Sequence, residues 1–242
     1  MNLCIDQGNS STKVGVFDQS ELVEYSSFKV FDKGAVLNLF DRFEIEACIL
    51  SSVISENLEL INDLKNRTGF LIELSHHTPI PIENRYETPE TLGKDRLAAV
   101  VGAAFLKPDS DILVVDAGTA ITYDFIDSSQ VYHGGNIAPG FDLRLRSLHE
   151  FTQKLPLVEA KTESPLLGNT TQSAIVSGAL HGIVFEIDGY INALKINYPQ
   201  LSTFLTGGST FYFDTKLKSA IFAERNLVLI GLNRILQYNV QK

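Results

Sequence analysis

Cysteine occurs only twice, at Cys4 and Cys48, and the sequence has no Cys-x-x-Cys pair and no Cys/His cluster. That scarcity excludes a disulfide scaffold and leaves no spacing for a structural zinc site. Both cysteines lie in apolar, strand-like runs, so two buried free thiols in a reducing, cytoplasmic setting are expected. No basic segment followed by an apolar one marks a signal peptide. The longest apolar run, 97–106, is about half of what a membrane span needs, so no membrane partner is expected. Positive charge is in deficit: the net charge is −9. This balance weighs against nucleic acid as a partner. It does not exclude phosphate ligands, which backbone N–H groups can hold without any lysine. Low-complexity tracts and charge blocks are absent as well. What remains, 44% hydrophobic and 20% charged residues over 242 positions, describes a globular chain.

Apolar spacing predicts strands at 3–6, 13–17 and 23–30, a helix over 34–43, a strand at 47–51, a helix over 56–67 and a strand at 69–74. Residues 75–91, SHHTPIPIENRYETPET, are too rich in proline for a regular element and long enough for a functional loop. A helix over 94–106 follows, ended by Lys107-Pro108. At Asp111 the pattern restarts. Strands are expected at 112–116, 121–126 and 130–133, then a glycine-rich turn GGNIAPG at 134–140 and a helix over 141–151. Residues 154–168 read as irregular. A long helix over 171–197 is opened by the capping residues Asn169 and Thr170. A strand at 201–205 ends on Thr-Gly-Gly, and a last helix covers 227–237. Strands alternating with helices imply α/β architecture with helical cover.

The restart is an internal repeat of nearly half the chain. Asp6, Gly8, Asn9 and Thr12 match Asp116, Gly118, Thr119 and Thr122 at a constant offset. Two similar domains, each presenting a hairpin turn, would explain it. A turn built from glycine and small hydroxyl residues gathers N–H and O–H groups in one concavity, which suits an anion. Two such turns could grip a polyphosphate. A carboxylate at each strand end, Asp6 and Asp116, then makes sense only with a cation between acid and phosphate, and Mg²⁺ fits that role. Ordinary tight hairpins satisfy the same spacing. Thr91–Arg96, TLGKDR, places Asp95 and Arg96 in the first turn of a helix. There they can serve as a general base and an anion-binding cation, or simply as a capping acid and a solvated arginine.

Six motifs occur in one order along the chain: Asp-x-Gly-Asn-Ser-x-x-Lys (6–13), Tyr-x-x-Pro-x-x-Leu-Gly-x-Asp-Arg (86–96), Asp-x-Gly-Thr-Ala-x-Thr-x-Asp (116–124), Gly-Gly-x-Ile-x-Pro-Gly (134–140), Asn-Thr-Thr (169–171) and Thr-Gly-Gly (206–208). In this the chain resembles the type III pantothenate kinases of the acetate and sugar kinase/Hsp70/actin superfamily. The resemblance implies an actin-like ATPase fold: two ribonuclease-H-like domains, 1–110 and 111–242, facing each other across a nucleotide cleft. It also implies a homodimer that transfers the γ-phosphoryl of ATP to pantothenate with Mg²⁺ and a monovalent cation, K⁺ or NH₄⁺. By the same resemblance Asp6 positions Mg²⁺, and Gly8, Asn9, Ser10 and Lys13 form the first phosphate turn. Gly118 and Thr119 contact ATP, Asp116 is a second Mg²⁺ ligand, and Asp124 holds the monovalent cation. Asp95 is the catalytic base. Tyr86, Gly93, Lys94, Arg96 and Thr171 belong to the pantothenate site, Thr171 reaching in from the partner subunit. The chain departs from the family pattern at Ser10, where Thr is usual, at Ser173, where Glu is frequent, and at Ser209, where an acid is common. A non-catalytic sensor of nucleotide or pantothenate is the competing class. The retained Asp6 and Asp95 favour an enzyme.

Overall fold

A computed structural model describes residues 1–8, 10–53 and 58–240. In chain order its elements are β1 (Asn2–Gln7), β2 (Thr12–Asp18), β3 (Glu21–Phe28), α1 (Lys33–Leu37), α2 (Leu39–Arg42), β4 (Ala47–Ser52), α3 (Leu58–Arg67), β5 (Phe70–Glu73), β6 (Glu83–Asn84), α4 (Lys94–Leu106), β7 (Ile112–Ala117), β8 (Ala120–Ile126), β9 (Val131–Pro139), α5 (Phe141–Glu150), α6 (Thr171–Lys195), β10 (Ser202–Thr206), β11 (Phe222–Ala223) and α7 (Leu227–Val240). The architecture is α/β with two sheets.

The first compact unit comprises Met1–Asp109, Ser129–His133 and Asn226–Lys242. Its sheet runs β3-β2-β1-β4-β5, with β1, β2 and β3 antiparallel and β1, β4 and β5 parallel. Alternation sends Leu3, Ile5, Val14, Val16, Cys48 and Leu50 to one core with Leu60, Ile61 and Leu64 of α3. On the other face Gly15 leaves room for Leu229 of α7. This membership departs from a single cut at residue 110: the last helix returns to the first unit. Two glycines decide it. A Cβ on Gly231 would lie 1.7 Å from the Ala98 carbonyl oxygen of α4, and one on Gly102 would lie 2.4 Å from the Leu227 carbonyl oxygen of α7. Only a glycine crossing lets these two backbones meet so closely.

The second unit comprises Ser110–Ser128 and Gly134–Arg225. Its strands follow the order β9-β8-β7-β10-β11, the same scheme as in the first unit, with β7–β8 antiparallel and β7–β10–β11 parallel. Leu113, Val115, Ala117, Ile121 and Tyr123 bury one face against Ile175, Leu180, Ile183 and Ile187 of α6. By length and composition alone α6 could cross a membrane, but half of its apolar window is buried inside the unit. Glu186 of α6 accepts from the Tyr123 hydroxyl at 2.7 Å and pairs with Arg144 of α5 at 2.6 Å, tying three elements together. Burial, and then that hydrogen bond, push the Tyr123 phenol well above its ordinary range.

Four expectations change. The helix over 34–43 is two short helices that share Asn38 as C-cap and N-cap. The loop 75–91 contains β6, which pairs in parallel with Val131 and Tyr132, and a 3-10 turn at Pro89–Thr91. The stretch 134–140 is not a turn: β9 runs on through Pro139. It can do so because Gly135 abuts the Tyr123 carbonyl, 1.7 Å from where a Cβ would sit. Finally, Thr170 alone caps α6, in a capping box whose second member is Ser173. That gives Ser173 a structural use at the helix start. The helix start expected at 56 lies outside the described residues.

Cys4 and Cys48 are both buried and free. Burial first, and then the neighbouring Cys48, raise the Cys4 thiol well above its ordinary value, and burial does the same for Cys48. Native protein should therefore resist a disulfide-exchange reagent, and denatured protein should titrate both thiols. The pH dependence has one sign. Above the ordinary thiol value of 9.0 the unfolded chain loses protons that the native chain keeps, so stability declines as pH rises past that point. Rapid modification of the native protein would contradict the burial.

Candidate active site

In the first unit β1 ends on Asp6, which is 6% exposed. Cross-strand partners share a face of the sheet. Asp6 pairs with Lys13 on β2 and with Ser51 on β4, so all three side chains stand in one row. The Ser51 Oγ is buried with no hydrogen-bond partner among the described residues. The turn between β1 and β2 closes with Gly8 N–H donating to the Ser11 carbonyl at 3.0 Å, and Ser10 is exposed at its tip. Asn9, expected in the phosphate turn, lies outside the described residues.

The second unit repeats the row. Asp116 on β7 pairs with Thr122 on β8 and with Thr206 on β10. The Thr122 and Thr206 hydroxyls are likewise buried without hydrogen-bond partners among the described residues. The register corrects one detail of the sequence repeat. Asp116 faces Thr122, but Asp6 faces Lys13, not Thr12, because the first hairpin loop is one residue longer. Lys13 is thus the positional counterpart of Thr122.

Three glycine motifs, separated by up to 90 positions, converge on the second turn. Gly140 N–H donates to the Thr119 carbonyl at 3.0 Å, and a Cβ there would lie 2.3 Å from the Gly118 carbonyl. Gly207 has φ +101°, and its Cβ would lie 2.4 Å from Asp116 Oδ1. Ser209 N–H donates to the Ala117 carbonyl at 2.9 Å. Glycine at 140 and 207 is therefore what allows the turn to close around the Asp116 carboxylate. Asp124 lies two residues beyond Thr122, on the same face of β8, and is 1% exposed. Thr171 is the exposed first residue of α6.

Back in the first unit, α4 begins at Lys94 with Gly93 as N-cap. Asp95 Oδ1 accepts from the Arg96 N–H at 2.9 Å, and a Cβ on Gly93 would come within 2.6 Å of that oxygen. Glycine at 93 thus leaves space for the Asp95 carboxylate in this position. Arg96 is buried, its guanidinium 5.6 Å from the Tyr86 ring centroid. It also donates a long hydrogen bond, 3.4 Å, to the hydroxyl of Tyr132. Tyr86 and Tyr132 stack 6.2 Å apart at 11°. Tyr86 is itself pinned by its N–H donating to Asn84 Oδ1 at 2.9 Å. Tyr86, Gly93, Asp95 and Arg96 thus form one cluster, and Tyr132 completes it. Sequence reasoning missed Tyr132, although a tyrosine just ahead of Gly-Gly-x-Ile-x-Pro-Gly was there to be noticed.

Among the described residues no three His, Cys, Asp or Glu side chains gather into a metal cage. Single carboxylates beside orphaned hydroxyls instead suit a hard cation that keeps its waters and takes phosphate oxygens as ligands.

The sequence profile of the type III pantothenate kinases matches residues 2–193. The chain belongs to that family. A type III pantothenate kinase of Phocaeicola vulgatus is 52% identical over 239 residues, covering 99% of both chains. One from Bacteroides fragilis is 52% identical over 242 residues, covering 99% of this chain and 98% of the other. Solved structures share the fold. A Baf family protein from Campylobacter jejuni superposes with a TM-score of 0.63 at 22% identity, over 99% of this chain and 100% of that one. The activator of 2-hydroxyisocaproyl-CoA dehydratase from Clostridium difficile, with bound ADPNP, reaches 0.53 at 12% identity, over 98% and 93%. The family's fold of two ribonuclease-H-like domains accounts for the strand order repeated in each unit.

Proposed function

We propose that this protein is a pantothenate kinase that moves the γ-phosphoryl group of ATP to the 4′-hydroxyl of pantothenate, the first step of coenzyme A synthesis. The observation that carries the proposal is the cluster at the start of α4, with Asp95 beside buried Arg96 and the Tyr86–Tyr132 stack, in a chain whose family is defined by that activity.

Phosphoryl transfer has a loose transition state, so alignment and charge neutralisation dominate. Asp95 orients the primary hydroxyl and accepts its proton. Arg96, held by Tyr86 and Tyr132, binds pantothenate together with Gly93 and Lys94. The turns at Gly8–Ser10 and Gly118–Thr119 present N–H and O–H donors to the ATP phosphates, with Lys13 adding charge beside Asp6. Asp6 in the first unit and Asp116 in the second each serve as a Mg²⁺ ligand in this reading, and the metal, when bound, would offset charge on the β- and γ-oxygens. Asp124 serves the monovalent cation, K⁺ or NH₄⁺. The functional unit in this proposal is a homodimer in which Thr171 serves the partner's pantothenate site.

A coupled assay with ATP and pantothenate, with and without K⁺, tests the activity and the cation together. Turnover should need pantothenate and rise with K⁺. Asp124→Ala should abolish that rise, and an unchanged K⁺ response would remove Asp124 from the role. Tyr132→Phe should raise the pantothenate KM roughly 2–10-fold, because the hydrogen bond lost from the Arg96 guanidinium is long, at 3.4 Å, and leave the ATP KM and kcat near wild type. Equal shifts in both KM values would mean that Tyr132 supports the unit as a whole and not the pantothenate subsite.

A further inference from the structure

A cavity of about 320 Å³ opens in the first unit beside the C-terminal half of α4. Val101 and Ala104 of α4, with Ile82, form apolar walls, and Pro81, Pro108, Phe105, Gln130 and Arg234 complete the lining. Ten residues of α4 separate Asp95 from Phe105, about 15 Å along the helix axis, so this is not the cluster around Asp95.

Gln130 and Arg234 each bring N–H donors to the cavity lining. The Gln130 Nε2 is buried and has no hydrogen-bond partner among the described residues. Gln130 holds φ +64°, a left-handed conformation that Gly or Asn would fill more easily, and its carbonyl is engaged by the Glu83 N–H at 2.9 Å. The backbone is thus fixed while the amide stays unmet. Arg234 lies with its guanidinium carbon 5.4 Å from the Phe105 ring centroid, and it has no ion pair among the described residues. Stacking uses the face of a guanidinium and leaves its edge N–H groups available. No acidic side chain lines the space. A buried donor without an acceptor is costly, and the volume far exceeds one water's share. It falls at the lower end of ligand-pocket sizes.

We infer that this cavity is a second small-molecule site, for a monocarboxylate with a short apolar body. Arg234 and Gln130 take the carboxylate, and Ile82, Val101 and Ala104 take the chain. The inference is independent of the kinase reading.

The test is calorimetric titration of the full chain with sodium hexanoate, 1-hexanol and hexylammonium, each with pantothenate present in excess to occupy any carboxylate site near Arg96. Hexanoate should bind, and the neutral and cationic probes should bind at least ~10-fold more weakly, the worth of a charge-assisted hydrogen bond. Arg234→Met keeps an apolar stem against Phe105; it should lose hexanoate binding by a similar factor while its melting temperature stays at the wild-type value. Hexanoate binding no better than hexanol, binding unchanged in Arg234→Met, or no heat at all would each overturn the site and leave a cavity filled by water. None of these outcomes depends on whether pantothenate is phosphorylated.

Discussion

Asp95→Asn is expected to lower kcat by at least ~10²-fold, the usual loss when an acid–base group is removed, with the ATP KM little changed. The substitution is nearly isosteric. Its side-chain oxygen can still accept the Arg96 N–H, as Asp95 Oδ1 does at 2.9 Å, so the first turn of α4 should keep its shape. What disappears is the ability to take a proton from an alcohol. Arg96 remains in place through Tyr86 and Tyr132, so pantothenate should still bind. Steady-state kinetics with a coupled assay give the answer. Turnover within a few-fold of wild type would remove Asp95 from the base role, and a large rise in both KM values would point to misfolding.

Gly231→Ala is expected to destabilise the first unit by ~3 kcal/mol or more, at or beyond the top of the usual range for overpacked cores. A chain of this size would then melt roughly 6–12 °C lower. The reason is geometric: the new methyl would sit 1.7 Å from the Ala98 carbonyl oxygen and 2.9 Å from the Gly102 nitrogen, both backbone atoms that no rotamer change can clear. The crossing of α4 and α7 would have to widen. Because α4 carries Asp95 and Arg96 at its other end, activity should fall with stability. Gly189→Ala on α6 is the matched control. Nothing lies within 4 Å of its Cβ, so it should be neutral or stabilising. Equal melting temperatures for Gly231→Ala and wild type would show that the helices do not cross on that glycine.

Local patterns carried much of this structure. The helix expected over 94–106 became α4 with the same ends, since a helix opened by Gly93 and stopped before Lys107-Pro108 needs no distant partner. The hairpins after Asp6 and Asp116 were legible because alternation and a glycine turn are properties of neighbours. The glycines of 134–140 misled for the opposite reason. Glycine marks a turn when the chain is read alone, yet at Gly135 its function is to let one strand approach another's carbonyl. The role of Tyr132 follows from contacts with Arg96 and Tyr86, which lie 36 and 46 positions away.

Residue order along the chain was enough to establish the α/β class, the twofold repeat, the acid at the end of each first strand and the family, because motif spacing and periodicity are written into short stretches. Which hydroxyl stands opposite each acid, which tyrosine braces Arg96, and that the final helix packs on α4 depend on strand register and on two backbones meeting at Gly102 and Gly231. Those are long-range contacts, and only packing decides them.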